Sequence, residues 1–325
     1  MISSQTDRPR RSALLGADRR AGIAAVLRWV AIVVVVGAAV WVLASNWDEA
    51  LATARAVHPL SLGLSLLVLM AGSAAATMSW QVLLDGLGPP VGIPRGFQIY
   101  LVGLLGKYVP GSVWAYLLQM ELGKRHGVSR PRVLAASLFA AGIGVVGSLV
   151  LGLAALPAIS GVDRRLYWLY AIIPLGLAVL NPRVMTWMAR LVFRLMRRPA
   201  PDVALRGRTV AAAFGCVLVA YVMFGLHLWL LANSLAQPTI STLALCIGAS
   251  GLGMTAGLFA FFMPSGLGAR EAVLGAALAT VLSVGQASAL AVGSRIMFTV
   301  SDLALAGMAA GLAVLAARRT RSRTV

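Results

Sequence analysis

"GKYVPGSVW", residues 106–114, decides how this chain is folded. It places a lysine, a proline and two glycines inside a stretch, 97–127, that otherwise reads as apolar helix. Each side of Pro110-Gly111 offers only about 13 residues. At 1.5 Å per residue that is about 20 Å, too short for a hydrocarbon core of about 30 Å. Both flanks are basic, with Arg95 before and Lys124, Arg125, Arg130 and Arg132 after. Two short helices whose outer ends share one side make a re-entrant hairpin, and the quoted motif is its tip.

The rest of the chain sets this hairpin in a membrane. Of the 325 residues 59% are hydrophobic and 12% charged, about half the charge of a soluble domain. Apolar runs of about 20 residues recur along the length, predicting an all-α polytopic membrane protein with about 6–8 transmembrane helices and one or two re-entrant hairpins. Spans are expected at 27–45, 60–84, 133–156, 166–180, 209–235 and 287–316. The first is read as a retained span, because no small-residue cleavage site follows it. Residues 1–26 and 317–325 are basic tails around a membrane domain of 27–316. The segment 46–59 has helical periodicity. Segment 181–208 places Val184, Trp187, Met188, Leu191, Val192 and Leu195 against arginines, the pattern of a surface amphipathic helix.

The formal charge of +18 follows position rather than nucleic-acid chemistry. Six arginines precede the first span, seven lie from Arg183 to Arg208 and four follow the last span; only Arg55, Arg164 and Arg165 fall in loops of the other side. This is the positive-inside pattern, so both termini and the 181–208 helix are expected in the cytoplasm, and no nucleic-acid partner is expected. Cys216 and Cys246 lie in apolar runs as core residues.

A second break, "FFMPSGLGAREAVL" (261–274), interrupts the apolar stretch 240–284, which is either two spans or a second hairpin entering from outside. Broken segments at corresponding places in two halves are the pattern of an inverted repeat whose discontinuous helices meet near the midplane.

Only Lys107 and Lys124 are lysines among 28 basic residues. A lysine at the tip suggests a compact ammonium beside helix ends that favour anions. Tyr108, Pro110, Gly111, Ser112 and Trp114 complete this candidate binding tip. In the second break Pro264, Gly266 and Gly268 allow close backbone approach, and Arg270 and Glu271 open the next helix as an expected charge pair. Ionisable residues at membrane depth mark sites by default. Arg295 and Asp302, seven apart on the last span, are a possible intramembrane charge pair that either joins the Arg270–Glu271 site or holds helices together. His227 reads as a hydrogen-bonded core residue. No catalytic residue, metal site or cofactor motif is read from the sequence.

The two motifs in this order resemble the hallmark motifs of the lysylphosphatidylglycerol synthase transmembrane-region family, also called flippase-like domain proteins. The resemblance covers about 50–316. The usual second motif is Pro-Gly-Gly-Leu-Gly; here Ser265 replaces the first glycine. In two-domain members the membrane region is implied to move an aminoacylated phospholipid made by a soluble domain. No such domain occurs in this sequence, so lysyl-lipid synthesis is not expected of it.

The leading expectation is a non-enzymatic translocator or carrier for a lipid with an anionic or phosphate headgroup, in a bacterial inner membrane, with Lys107 and Arg270 both receiving the headgroup in a cavity between the hairpins. The alternatives are a partner subunit of a membrane enzyme, or a polyprenyl-phosphate-dependent glycosyltransferase using Asp48 and Glu49. With Cys216 and Cys246 changed to Ala, single cysteines at Ser4 and Ser322 should be shielded from an impermeant thiol reagent in intact cells while Ser160 is labelled. Labelling at either terminus reverses the orientation.

Overall fold

The computed structural model describes residues 44–45, 47–109, 113–158, 164–195, 205–235, 239–260, 263 and 266–321. Both tails, nearly all of the expected 27–45 span and the labelling positions Ser4, Ser160 and Ser322 lie outside the described residues. The described residues form α1 (Trp47–Ala56), α2 (Pro59–Gly86), α3 (Ile93–Leu104), a 3-10 turn (Leu105–Tyr108), α4 (Val113–Arg125), α5 (Arg130–Ala154), a 3-10 segment (Arg164–Ala171), α6 (Ile172–Val179), α7 (Pro182–Leu195), α8 (Gly207–Ala232), α9 (Ile240–Phe259), α10 (Ala269–Leu278) and α11 (Val284–Arg321).

Five of these helices, α2, α5, α8, α9 and α11, are long and apolar enough to cross a membrane. A sixth candidate is the bent pair Trp168–Val179 and Pro182–Leu195, to which the 3-10 segment and α6 bring most of the length. Eight residues at about 2.0 Å and eight at about 1.5 Å reach about 28 Å, close to the hydrocarbon thickness. At Leu180–Asn181 the chain bends by 78° into α7. That helix buries Met185, Ala189 and Phe193 and exposes Trp187, Leu191 and Leu195, as expected of a helix lying along the surface. It is shorter than the expected 181–208: it is described to Leu195, and Leu205 and Arg206 are not helical.

The ends of α2 show how the chain is punctuated. Pro59 takes the first helical position, where a missing N–H costs nothing, and His58 Nδ1 accepts from Leu60 N. At the other end the Arg132 guanidinium donates to the Leu84 carbonyl at 3.0 and 2.8 Å and to that of Pro89 at 2.7 Å. The turn after α2 is thereby tied down by a buried side chain from the first turn of α5. Asp85 pins the same turn by accepting from Val91 N at 2.8 Å.

Helices α3 and α4 pack against each other as the two arms of a hairpin. Its outer ends lie at this Arg132 turn and at the Arg130–Glu121 ion pair. The second broken segment is also a hairpin, with unequal arms. Helix α9 has 20 residues, but α10 has 10, about 15 Å, too few to cross. The start of α9 follows Ser234, whose hydroxyl accepts from His58 N, and α10 leads to Ser283, whose hydroxyl donates to Glu49. Both ends therefore lie on the face that carries α1, opposite the ends of the first hairpin.

The helix contacts repeat. Helix α2 packs along α8, α3 against α11 as α5 against α9, and α4 against α5 as α10 against α11. Exchanging α2–α5 for α8–α11 maps this set onto itself, which is the arrangement of two inverted halves. The core is close-packed by small residues, since apolar side chains alone give no drive for helix association in lipid. Among them, a Cβ at Gly225 of α8 would lie 2.4 Å from Ile247 Cα of α9. His227 ties α2, α8 and α11 together, with Nδ1 2.6 Å from Ser65 Oγ and Nε2 3.0 Å from Ser294 Oγ. Ser65 also reaches the His227 carbonyl at 3.0 Å, so every polar atom of the ring is satisfied in the core.

Gly225→Ala should destabilise the folded protein by about 1–3 kcal/mol, because the α8 and α9 backbones must move apart. Gly215→Ala, whose Cβ meets nothing within 4 Å, should leave stability unchanged. Thermal unfolding in mild detergent checks the difference.

Candidate functional site

Helix α11 carries the two charges around which the site is organised. Arg295 and Asp302 lie two turns apart on one face. Asp302 is 4% exposed, a burial that an unpaired carboxylate does not tolerate. Lys107 Nζ approaches Asp302 Oδ2 at 2.5 Å, and Tyr108 donates its hydroxyl to the same oxygen at 2.6 Å. Both groups come from the 3-10 turn at the end of α3, so the tip of the first hairpin is fastened to α11. Gly106 lets the tip close: a Cβ there would sit 2.7 Å from Ala115 N and Trp114 O.

The second tip is fastened to the same helix. Arg295 Nη1 donates to Glu271 Oε1 at 2.6 Å, and Glu271 Oε2 accepts from Gly268 N at 2.6 Å. Gly268 has φ +88° and caps α10, while Gly266, with φ +64°, lies so close to Gly257 that a Cβ would be 2.4 Å from its Cα. Both positions thus require glycine. One expectation is corrected here: Glu271 pairs with Arg295 rather than with its neighbour Arg270, because successive helical residues point about 100° apart. Arg295 thereby joins the Arg270–Glu271 site, one of the two arrangements the sequence left open, while Asp302 is paired to the first hairpin and not to Arg295.

Arg270 is left with a different environment. Its guanidinium lies over the Phe298 ring, 3.7 Å from the centroid, and no carboxylate among the described residues is within ion-pairing distance. Guanidinium planes stack on aromatic faces in this way while keeping their N–H fork free. Phe298 is itself held edge-on by Phe224 and His227, with centroids at 5.0 and 5.7 Å.

Arg270 faces a cavity of about 310 Å³ between the two hairpins. Lys107, Gly266 and Asp302 also line it. Tyr108, Trp114, Gly268 and Glu271 do not; Trp114 is 48% exposed on the outer surface. Pro110, Gly111, Ser112 and Pro264 lie outside the described residues. Asp48 and Glu49 are not among the residues that line the cavity, and Glu49 accepts from Ser283 at the start of α11, a link between elements.

The opposite wall was not legible in the sequence. Ser79 and Trp80 from α2, Tyr100 from α3, Tyr116 and Gln119 from α4 and Ser137 from α5 meet there. Trp80 Nε1 donates to Ser137 Oγ at 2.9 Å, and Ser137 lies 2.8 Å from Gln119 Oε1. The available signal was Gln119 itself, a carboxamide in mid-arm of a half-length membrane helix. A polar side chain at such a depth needs a partner or a ligand.

The Lys107–Asp302 contact makes a direct prediction. Lys107→Met should destabilise the protein by about 3–5 kcal/mol, since it strands a buried carboxylate, and Lys107→Met/Asp302→Leu should recover most of the loss. Unfolding temperatures of the single and double variants in detergent measure the coupling; equal, additive losses would show that the pair does not fasten the tip.

No curated protein matches the chain. Residues 28–317, nearly the whole length, match the family described as lysylphosphatidylglycerol synthase TM region. Five to six spans, two hairpins entering from opposite faces and their two motifs stand within that match, and the chain belongs to the lysylphosphatidylglycerol synthase transmembrane-region family, a family of multi-pass membrane proteins.

Proposed function

We propose that this protein binds a lipid with an anionic, phosphate-bearing headgroup in the cavity between its hairpins and carries that headgroup between leaflets without chemically altering it. The observation that carries the reading is Arg270. It is a guanidinium at membrane depth, stacked on Phe298, lining the cavity and unmatched by any carboxylate among the described residues. A charge in such a place is costly unless an opposite charge reaches it, and the planar fork matches phosphate oxygens in pairs. The two nearby carboxylates are already engaged, Asp302 by Lys107 and Tyr108 and Glu271 by Arg295 and Gly268 N. The charge left to attract a ligand is therefore positive.

This reading moves the headgroup contact from Lys107, where the sequence pointed, to Arg270. Lys107 lines the same cavity but holds the first hairpin to Asp302. Opposite entry of the two hairpins supports alternating exposure of the cavity to the two sides, as in other inverted-repeat carriers. The excess of arginines on one side supports a cytoplasmic location of both termini in a bacterial plasma membrane.

Arg270→Ala should weaken binding of phosphatidic acid to purified protein about ten- to hundredfold, the loss of a charge-assisted contact of about 1.5–3 kcal/mol. Arg270→Lys should recover only part, because an ammonium neither stacks nor forks. Movement of a head-labelled anionic lipid in vesicles should fall in parallel. Unchanged binding by folded Arg270→Ala would remove the site. Binding without any movement would leave a lipid-stabilised partner subunit as the better reading.

A further inference from the structure

The wall facing Arg270 carries polar groups that the protein itself does not use. Ser79 Oγ is sealed from solvent and has no hydrogen-bond partner, although Ser79 is only 1% exposed. Gln119 is 3% exposed. One end of its amide is held by Ser137, which also takes the Trp80 indole N–H, while no hydrogen bond of the other end occurs among the described residues. The hydroxyls of Tyr100 and Tyr116 likewise have no hydrogen bond among the described residues, and both residues line the cavity. Buried polar groups are normally bonded; the unsatisfied Ser79 Oγ, beside three further polar groups of the cavity lining with unused bonding capacity, calls for a ligand that supplies the partners.

The chemistry they ask for is specific. Hydroxyls and a carboxamide, each able to donate and accept, match the hydroxyl groups of a polyol. Tyr100, backed by the buried Trp80 with ring centroids 5.3 Å apart, adds an aromatic ring against which the C–H face of a sugar can lie. A bare phosphate would leave all of this wall unused, and an amine headgroup would find no free carboxylate among the lining residues that are described. The cavity, about 310 Å³, is at the small end of ligand sites. It has room for a headgroup but not for acyl chains.

We infer that the cavity is a headgroup site for a polyhydroxylated phospholipid, a sugar or polyol joined to the lipid through phosphate, with the phosphate on Arg270 and the hydroxyls on Gln119, Tyr116, Tyr100 and Ser79. This inference rests on the anionic-lipid reading of Arg270 and adds the class of headgroup. It assigns Gln119 and Tyr116 as specificity determinants, because they line the cavity from α4 of the first hairpin while Arg270 lines it from α10 of the second.

The experiment is competition against fluorescent phosphatidic acid bound to the purified full-length chain in detergent. Phosphatidylinositol should displace the probe at least about tenfold more effectively than unlabelled phosphatidic acid. Tyr116→Phe, which removes one oxygen, and Gln119→Leu should each shrink that ratio about three- to tenfold. Arg270→Ala should weaken both lipids, and a neutral galactolipid should compete poorly. Water-soluble glycerophosphoinositol should need at least about a hundredfold higher concentration than phosphatidylinositol; equal potency would make the site one for a soluble sugar phosphate and overturn the lipid assignment. A ratio near one in the parent protein, or one that neither variant moves, overturns the polyol assignment while Arg270-dependent binding of phosphatidic acid stands. If phosphatidic acid binding is itself indifferent to Arg270, the anionic-lipid reading falls first.

Discussion

Two charges of opposite sign on one helix hold this fold together at its weakest places. A re-entrant hairpin has no hydrophobic reason to stop halfway through a bilayer, and its broken backbone is tolerated only when surrounded by protein or water. Here each tip is stopped by an ion pair to α11, Lys107 to Asp302 from one face and Glu271 to Arg295 from the other. Removing one member of such a pair leaves a buried charge uncompensated, at a cost of about 3–5 kcal/mol. The depth of both tips, the closure of Gly106 on α4 and of Gly266 on Gly257, and the cavity between them all follow from where these two residues sit on α11.

That arrangement separates two tasks for cations that the sequence runs together. Lys107 and Arg270 occupy the two broken motifs, and both are cations near glycines. Their surroundings differ in what is left over. The lysine meets a carboxylate and a phenol and is spent on the fold. The arginine meets an aromatic ring, which orients its plane without neutralising it. A stacked guanidinium beside a cavity is prepared for an anion that offers a pair of oxygens, whereas a paired ammonium is prepared for nothing further until its partner leaves.

The architecture was legible because a membrane makes few demands and makes them strictly. The counts of residues either side of Pro110-Gly111 excluded a crossing and implied the first hairpin; the arms α3 and α4 show that geometry. The second break stayed open between two spans and a hairpin, because charge on the loops is the same for both. Only the ten-residue length of α10 and the contact of Ser283 with Glu49 distinguish them. The partners of the charges were not legible either. Arg270 and Glu271 are adjacent, and adjacency in sequence suggested a pair, but helical geometry turns them away from each other. The polar wall at Gln119 and Ser79 was hidden for another reason: its members are common residues from four helices, and nothing in their spacing within any one helix marks them as neighbours.

The two inverted halves are not equal. Tyr108 and Thr255 both lie 15 residues beyond the first residue of their hairpin arms, Ile93 and Ile240. Asp302 and Ser148 both lie 18 beyond the starts of their spans, Val284 and Arg130. Where Tyr108 meets a carboxylate, Thr255 meets the Ser148 hydroxyl at 2.5 Å, and the place of Arg295 is taken by Ala141. Among the described residues, every ionic fastening of a hairpin tip is thus on the α11 side, and the mirror position on α5 has a neutral hydrogen bond instead. A carrier built from matched halves can trade one half's shape for the other's and arrive at a state of the same free energy. This chain cannot make that trade evenly. For the carrier proposed above, a latch with a bolt on one leaf and a magnet on the other, the two facing states would differ in free energy before any ligand arrives, and an empty cavity would have a preferred side on which to wait.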